Sequence, residues 1–123
     1  MALVNQVDKR VKMNKWDIVK YQILTYCYIN SIFISEADLN CLTYLALEGS
    51  QELTSFCNKV YAKKIFSSIQ SARNSLTKAE KKNLIKKEGK NRKKIYINPE
   101  LKIYSQGNIL LDFKFLSVET QES

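Results

Sequence analysis

Histidine is absent from this chain of 123 residues, and proline occurs once and glycine three times. Without histidine the commonest general acid–base group is missing. No glycine-rich phosphate loop and no close carboxylate pair in an apolar run takes its place. A recombinase-like catalytic tyrosine would need many cationic partners, and the chain offers only Arg10, Arg73 and Arg92 as arginines. An enzyme is therefore not expected, and no cofactor is implied. The scarcity of Pro and Gly argues against a linker-rich or disordered chain.

Cysteine is also sparse. Cys27, Cys41 and Cys57 are widely spaced, form no Cys-x-x-Cys pair and sit inside apolar patterns. They read as small buried hydrophobes. Structural zinc normally takes four Cys or His ligands, so a metal is not expected. Apolar runs such as Ile32-Phe33-Ile34 and Ile109-Leu110-Leu111 are too short to span a bilayer. No signal-peptide apolar region follows the basic residues near the start. The expectation is a protein that avoids membranes and stays in the cytoplasm where it is made. Its length suits one domain with one core.

What the chain has in quantity is positive charge, placed unevenly. Residues 58–94 hold thirteen Lys or Arg against two acids, Glu80 and Glu88, a local net of +11 in a chain of net +8. The remainder is therefore slightly acidic. A segregated block of this kind is the electrostatic footprint of a polyanion-binding surface, whether DNA, RNA or an acidic protein face. The alternative is a solvated face in a lysine-rich, AT-rich coding background.

Residues 1–13 show no clear period and read as a basic arm. Trp16, Val19, Ile23, Tyr26 and Cys27 follow helical spacing, with Asn14 as N-cap and Asp17 in the first turn. A second helix starts at Ser35, with Asp38 three residues on, carries Leu39, Leu42, Leu45 and Ala46 on one stripe, and closes at Gly49. A third opens at Ser50, with Leu53, Phe56, Cys57 and Val60 inward. A fourth opens at Ser67, in a capping box with Gln70, and buries Ile69, Ala72, Leu76 and Ala79. Its other face carries Gln70, Ser71, Arg73, Asn74, Thr77, Lys78, Lys81 and Lys82. Leu84-Ile85, a basic turn around Gly89, and Ile95-Tyr96-Ile97 then read as a hairpin, broken by Asn98-Pro99. A further hairpin is expected from residues 101–104 and 109–115, around a turn at 106–108, with a polar tail at 117–123.

Three helices followed by a hairpin with a basic tip is the order of a winged helix-turn-helix, so the expected fold is α+β, a winged helix with an extra N-terminal helix and a C-terminal β-hairpin over residues 14–116. In that arrangement the last helix enters the DNA major groove. The groove-facing candidates are Gln70, Ser71, Arg73, Asn74 and Lys78, because Arg pairs bidentately with guanine and Asn or Gln with adenine. Lys86, Lys87, Lys90, Arg92, Lys93 and Lys94 of the wing are the phosphate candidates.

Residues 67–76, with Ser67, Gln70, Arg73 and Asn74, followed by residues 83–89, resemble the recognition helix and wing of winged-helix regulators. Residues 95–101, ending Asn98-Pro99-Glu100-Leu101, resemble the strand and turn after the wing in winged-helix plasmid replication initiators. The resemblance covers roughly residues 35–101. It implies a double-stranded DNA partner and a role as a phage or mobile-element regulator or replication accessory. The chain departs from regulators in lacking a ligand-sensing domain. A second resemblance runs through residues 34–42, 52–57 and 107–113, which are similar to small proteins of crAss-like tailed phages, some of them head–tail connector parts. It implies the alternative of a virion subunit, with the winged helix as an assembly module docked on other virion or self subunits. Either reading expects a homo-oligomer.

Overall fold

A computed structural model of the protein describes residues 2–6, 13–105 and 114–118. Over these residues the chain is α+β, with four helices, a three-stranded antiparallel sheet and a separate two-stranded ribbon. The helices are α1 (Lys15–Ile29), α2 (Glu36–Glu48), α3 (Leu53–Ala62) and α4 (Ile69–Lys81).

Local chemistry starts each helix. Asn14 Oδ1 accepts from the Asp17 N–H at 2.8 Å, Ser35 Oγ from Asp38 N at 3.1 Å, and Ser68 Oγ from Ser71 N at 3.0 Å. Each such cap contributes about 1 kcal/mol. Two starts differ from the sequence reading. The cap of α4 is Ser68, not Ser67, and Gln70 turns to Asn74 instead of closing a box. Adjacent serines offer the same oxygen, so local chemistry does not choose between them. The third helix begins at Leu53 rather than Ser50, capped by the Glu52 carboxylate, which accepts from Ser55 N at 2.8 Å.

The residues before it have been taken into a sheet. The strand β2 (Gln51–Glu52) pairs antiparallel with β4 (Lys94–Ile97), which pairs in turn with β3 (Ile85–Glu88), giving the order β2-β4-β3. The Leu53 N–H extends this ladder to the Lys93 carbonyl at 2.7 Å. A two-residue strand carries no readable period of its own. It exists because its partner lies some forty residues downstream.

Three helices end in the same way with no glycine. Ser31, Lys64 and Asn83 take left-handed φ of 58°, 62° and 60°. In each case the next residue's N–H reaches back to the helix: Ile32 to Cys27 O, Ile65 to Val60 O, and Leu84 to Ala79 O. This is the Schellman closure, which normally recruits glycine. Glycine is kept for α2, where Gly49 has φ 79° and ψ −160°, a conformation closed to L side chains.

The core lies between the helices and the inner face of the sheet. Val19, Ile23 and Cys27 of α1, Leu42 and Leu45 of α2, Phe56 and Val60 of α3, Leu76 of α4, and Leu84 and Ile95 of the hairpin are all buried. Each large apolar side chain so buried stabilises by about 1.5–3 kcal/mol. α2 is the central helix, buried on several sides, and the Thr43 hydroxyl there is satisfied by Leu39 O at 2.8 Å. The far end of the hairpin is pinned by buried Asn98. Its N–H donates to Leu84 O, its Nδ2 donates to Asn83 O, and its Oδ1 accepts from Glu100 N.

Beyond the hairpin the sequence reading needs correction. Pro99–Leu101 is a 3-10 turn and residues 102–105 are irregular, so no strand covers 101–104. The expected turn at 106–108 and the start of the second strand lie outside the described residues. The strand β5 (Lys114–Val118) does form, but it pairs antiparallel with β1 (Ala2–Gln6), inside the expected arm. Ser117 and Val118 belong to this strand rather than to a tail. Tyr104 is held to α1 by the Gln22 amide, which donates to its carbonyl at 2.6 Å and accepts from its N–H at 2.8 Å.

Candidate nucleic-acid interface

On α4, Ala72, Ser75, Leu76 and Ala79 face inward. The outward line is Gln70, Asn74, Thr77 and Lys81, all exposed, at helical spacings that keep them on one face. Gln70 Nε2 donates to Asn74 Oδ1 at 3.0 Å, so the two amides hold one another in place. Thr77 Oγ1 donates to the Arg73 carbonyl, and Lys81 has no acid within ion-pair distance among the described residues. Gln70 and Asn74 are thus where the sequence placed them. Thr77 and Lys81 complete the line, and their i+7 and i+11 spacing from Gln70 was the available sign.

The other three helix candidates flank this line, and each also has a partner within the fold. Arg73 is half-buried, and its Nη2 donates to Thr54 Oγ1 on α3 at 3.1 Å. Lys78 lies on the opposite flank and pairs with Asp38 of α2 at 3.0 Å. Ser71, half-buried, exchanges a 2.8 Å hydroxyl contact with the Ser68 cap. Arg73 and Lys78 therefore tie α4 to its two neighbours. Asp38 receives the Ser75 hydroxyl at 2.6 Å as well. Burial works to raise the Asp38 carboxyl, but the hydrogen bonds from Ser75, Lys78 and Ser35 outweigh it and hold the group below its ordinary value.

The hairpin's alternation sorts its cations. Ile85 and Lys87 oppose Ile97 and Ile95 on the inner face, while Lys86 and Glu88 oppose Tyr96 and Lys94 on the outer one. Lys87 lies 3.7 Å from Glu80 of α4, and Arg92 from the tip reaches the same carboxylate. Lys94 lies 3.5 Å from Glu88, which also accepts from the Tyr96 hydroxyl at 2.9 Å. That hydrogen bond, with burial and the Glu88 charge, raises the Tyr96 phenol. Both acids of the basic block are therefore used inside it, one to fasten the hairpin to α4. Lys86, Lys90 and Lys93 remain exposed and outside any ion pair among the described residues.

The tip itself is tightly folded. Gly89 has φ 83°, and Asn91 and Arg92 follow in left-handed conformation at 58° and 54°, within a 3-10 turn at Lys90–Arg92. Lys93 sits where its charge reaches Glu52. The Glu52 carboxyl is lowered first by the backbone N–H of Ser55 and, more weakly, by Lys93.

The three cysteines are buried, and burial pushes the Cys41 thiol up to about 12 and raises those of Cys27 and Cys57. Such thiols are inert as nucleophiles. Among the described residues no group of three or more His, Cys, Asp or Glu is placed to hold a metal, and no helix is long and apolar enough to cross a membrane. The cleft beside Asp38 and Ser75 encloses about 10 Å³, room for one water at most. What the surface can do is make hydrogen bonds through amides and a hydroxyl, and ion pairs through lysines. No family model, curated protein or solved structure matches the chain.

Proposed function

We propose that this protein is a non-catalytic winged-helix module that binds double-stranded DNA, with α4 in the major groove and the β3–β4 hairpin as the wing on the phosphate backbone. The observation that carries this reading is the outward line Gln70–Asn74–Thr77–Lys81, flanked by a hairpin whose exposed Lys86, Lys90 and Lys93 have no ion-pair partner among the described residues. The order α2-β2-α3-α4-β3-β4 with the sheet order β2-β4-β3 supports it, since α4 is then the third helix of the trio and the hairpin follows it directly. In this reading Asn74 and Gln70 meet base edges, adenine best fitting a terminal amide. Lysines of the tip supply affinity without sequence preference. The resemblance of residues 67–101 to winged-helix regulators and plasmid initiators points to a regulatory or replication role in a phage or mobile element.

The test is fluorescence anisotropy of a labelled AT-rich duplex titrated at several salt concentrations. Binding should tighten at low salt with a slope of about 0.9 per neutralised phosphate. The double variant Lys90→Glu, Lys93→Glu should lose roughly 100-fold in affinity and flatten that slope. If the wild-type chain does not bind duplex even at low salt, the reading fails, and the basic block is a docking surface for an acidic partner.

A further inference from the structure

The positive charge on α4 and the hairpin has a counterpart on α1 that carries none. Residues 21–35 contain no charged side chain, and the two charges that bound this run, Lys20 and Glu36, pair with each other at 2.6 Å. Part of the run is nevertheless exposed. Tyr21, Leu24 and Tyr28 form an outward stripe on α1, opposite the buried Val19, Ile23 and Cys27. Tyr28 is 85 % exposed, Ile29 72 % and Phe33 92 %. Leu24, Tyr28 and Phe33 line one shallow groove of about 200 Å³. Tyr104, 59 % exposed, is tied to the same helix through Gln22.

A helix that is apolar on both faces belongs between two surfaces. Among the described residues the one extensive packing of α1 on another element is against α2. At roughly 200 Å² for a large side chain, the exposed parts of Tyr21, Leu24, Tyr28, Ile29, Phe33 and Tyr104 come to roughly 800 Å². That is close to what one partner contributes to a stable dimer.

We propose that this face pairs with the same face of a second copy of the chain. Two features select a copy over another partner. The area suits a closed two-fold contact, in which one patch meets itself. The charge distribution suits it too: two chains of net +8 repel, and residues 21–35 are where they can meet with no like charges opposed. The basic surfaces of α4 and the hairpin stay outside the contact.

The test is sedimentation equilibrium of the full chain without DNA, alongside Tyr28→Glu and Phe33→Glu. The wild-type chain should be a dimer. Each variant should weaken pairing by roughly 30-fold or more, as loss of a buried aromatic anchor does, while melting at the same temperature as dilute wild-type protein. Tyr28→Ser and Phe33→Ser serve if a glutamate variant does not fold. Lys90→Glu, Lys93→Glu should leave the dimer intact, so failure here and failure of DNA binding are read separately. A monomeric wild-type chain, an assembly larger than a dimer, or a dimer indifferent to both aromatic substitutions would each overturn the proposal.

Discussion

α1 and α4 are helices of similar length that bury comparable stripes, Val19-Ile23-Cys27 on one and Ala72-Leu76-Ala79 on the other. Their outer faces are chemical opposites. α4 shows Gln70, Asn74, Thr77 and Lys81, while α1 shows Tyr21, Leu24 and Tyr28. Solubility alone would ask for the polar version on both. Exposed amides and lysines suit contacts that exchange one set of hydrogen bonds and counterions for another. Exposed aromatics gain free energy only when water leaves. The difference separates a surface for a charged, hydrated ligand from one for another apolar surface.

The largest expected effect comes from breaking what both faces share. Leu76 is fully buried under α4, and Leu76→Ala should destabilise the chain by about 2–5 kcal/mol in urea unfolding. Duplex binding and self-association should then fall together, at temperatures where either single-face variant leaves the other property untouched.

The next comparison lies within α4, between its outward line and its flank. Arg73→Ala should lower stability by about 1–2 kcal/mol through loss of the Thr54 contact. Its effect on DNA affinity should be the same for a selected site and for random duplex. Asn74→Ala should leave the melting temperature unchanged and weaken the selected site by about tenfold more than random duplex. The reverse pattern would make Arg73 the base reader.

A pH titration sharpens the role of the other flank. The Asp38 carboxyl is held below its ordinary value in the folded chain, so its contribution is fully present above its unfolded pKa, about 3.9. It is lost as pH falls through the lower folded value. Asp38→Asn should therefore flatten the loss of stability in that acid window and leave the profile near neutrality parallel to wild type. A slope unchanged by the substitution would place the acid sensitivity elsewhere.

The smallest effect tests the helix ends. Ser31 follows α1 and Lys64 follows α3, both left-handed. Ser31→Gly and Lys64→Gly should each stabilise by about 0.5 kcal/mol, because the relief of left-handed strain slightly exceeds the added freedom of the unfolded chain. Ser31→Gly also reports on α1 by itself, since it should strengthen the helix without touching the exposed stripe.

Much of the fold was legible because its causes are local. Apolar residues at helical spacing, Asn14 and Ser35 as caps, Gly49 as a stop and the basic turn at Gly89 located the helices and the first hairpin. The misreadings have two physical origins. Ser67 against Ser68 is a choice between chemically equal caps. Gln51–Glu52 is a strand only because Ile95 and Lys94 lie beside it. Lys114–Val118 pairs with Ala2–Gln6, not with a neighbour in sequence. Strand partners far apart leave no local period to read.

The same division runs through the candidate site. By itself the sequence determined which residues could be polar, cationic and helical between 58 and 94, since charge and periodicity are properties of the chain. Only the tertiary structure decided which of them are engaged by neighbours within the fold. Thr54 on α3 draws Arg73 to one side of α4, Asp38 on α2 draws Lys78 to the other, and Glu80 and Glu88 take up Lys87, Arg92 and Lys94. Helix–helix packing sets the first two pairs and the hairpin's register and its docking on α4 set the others, none of which helix periodicity shows.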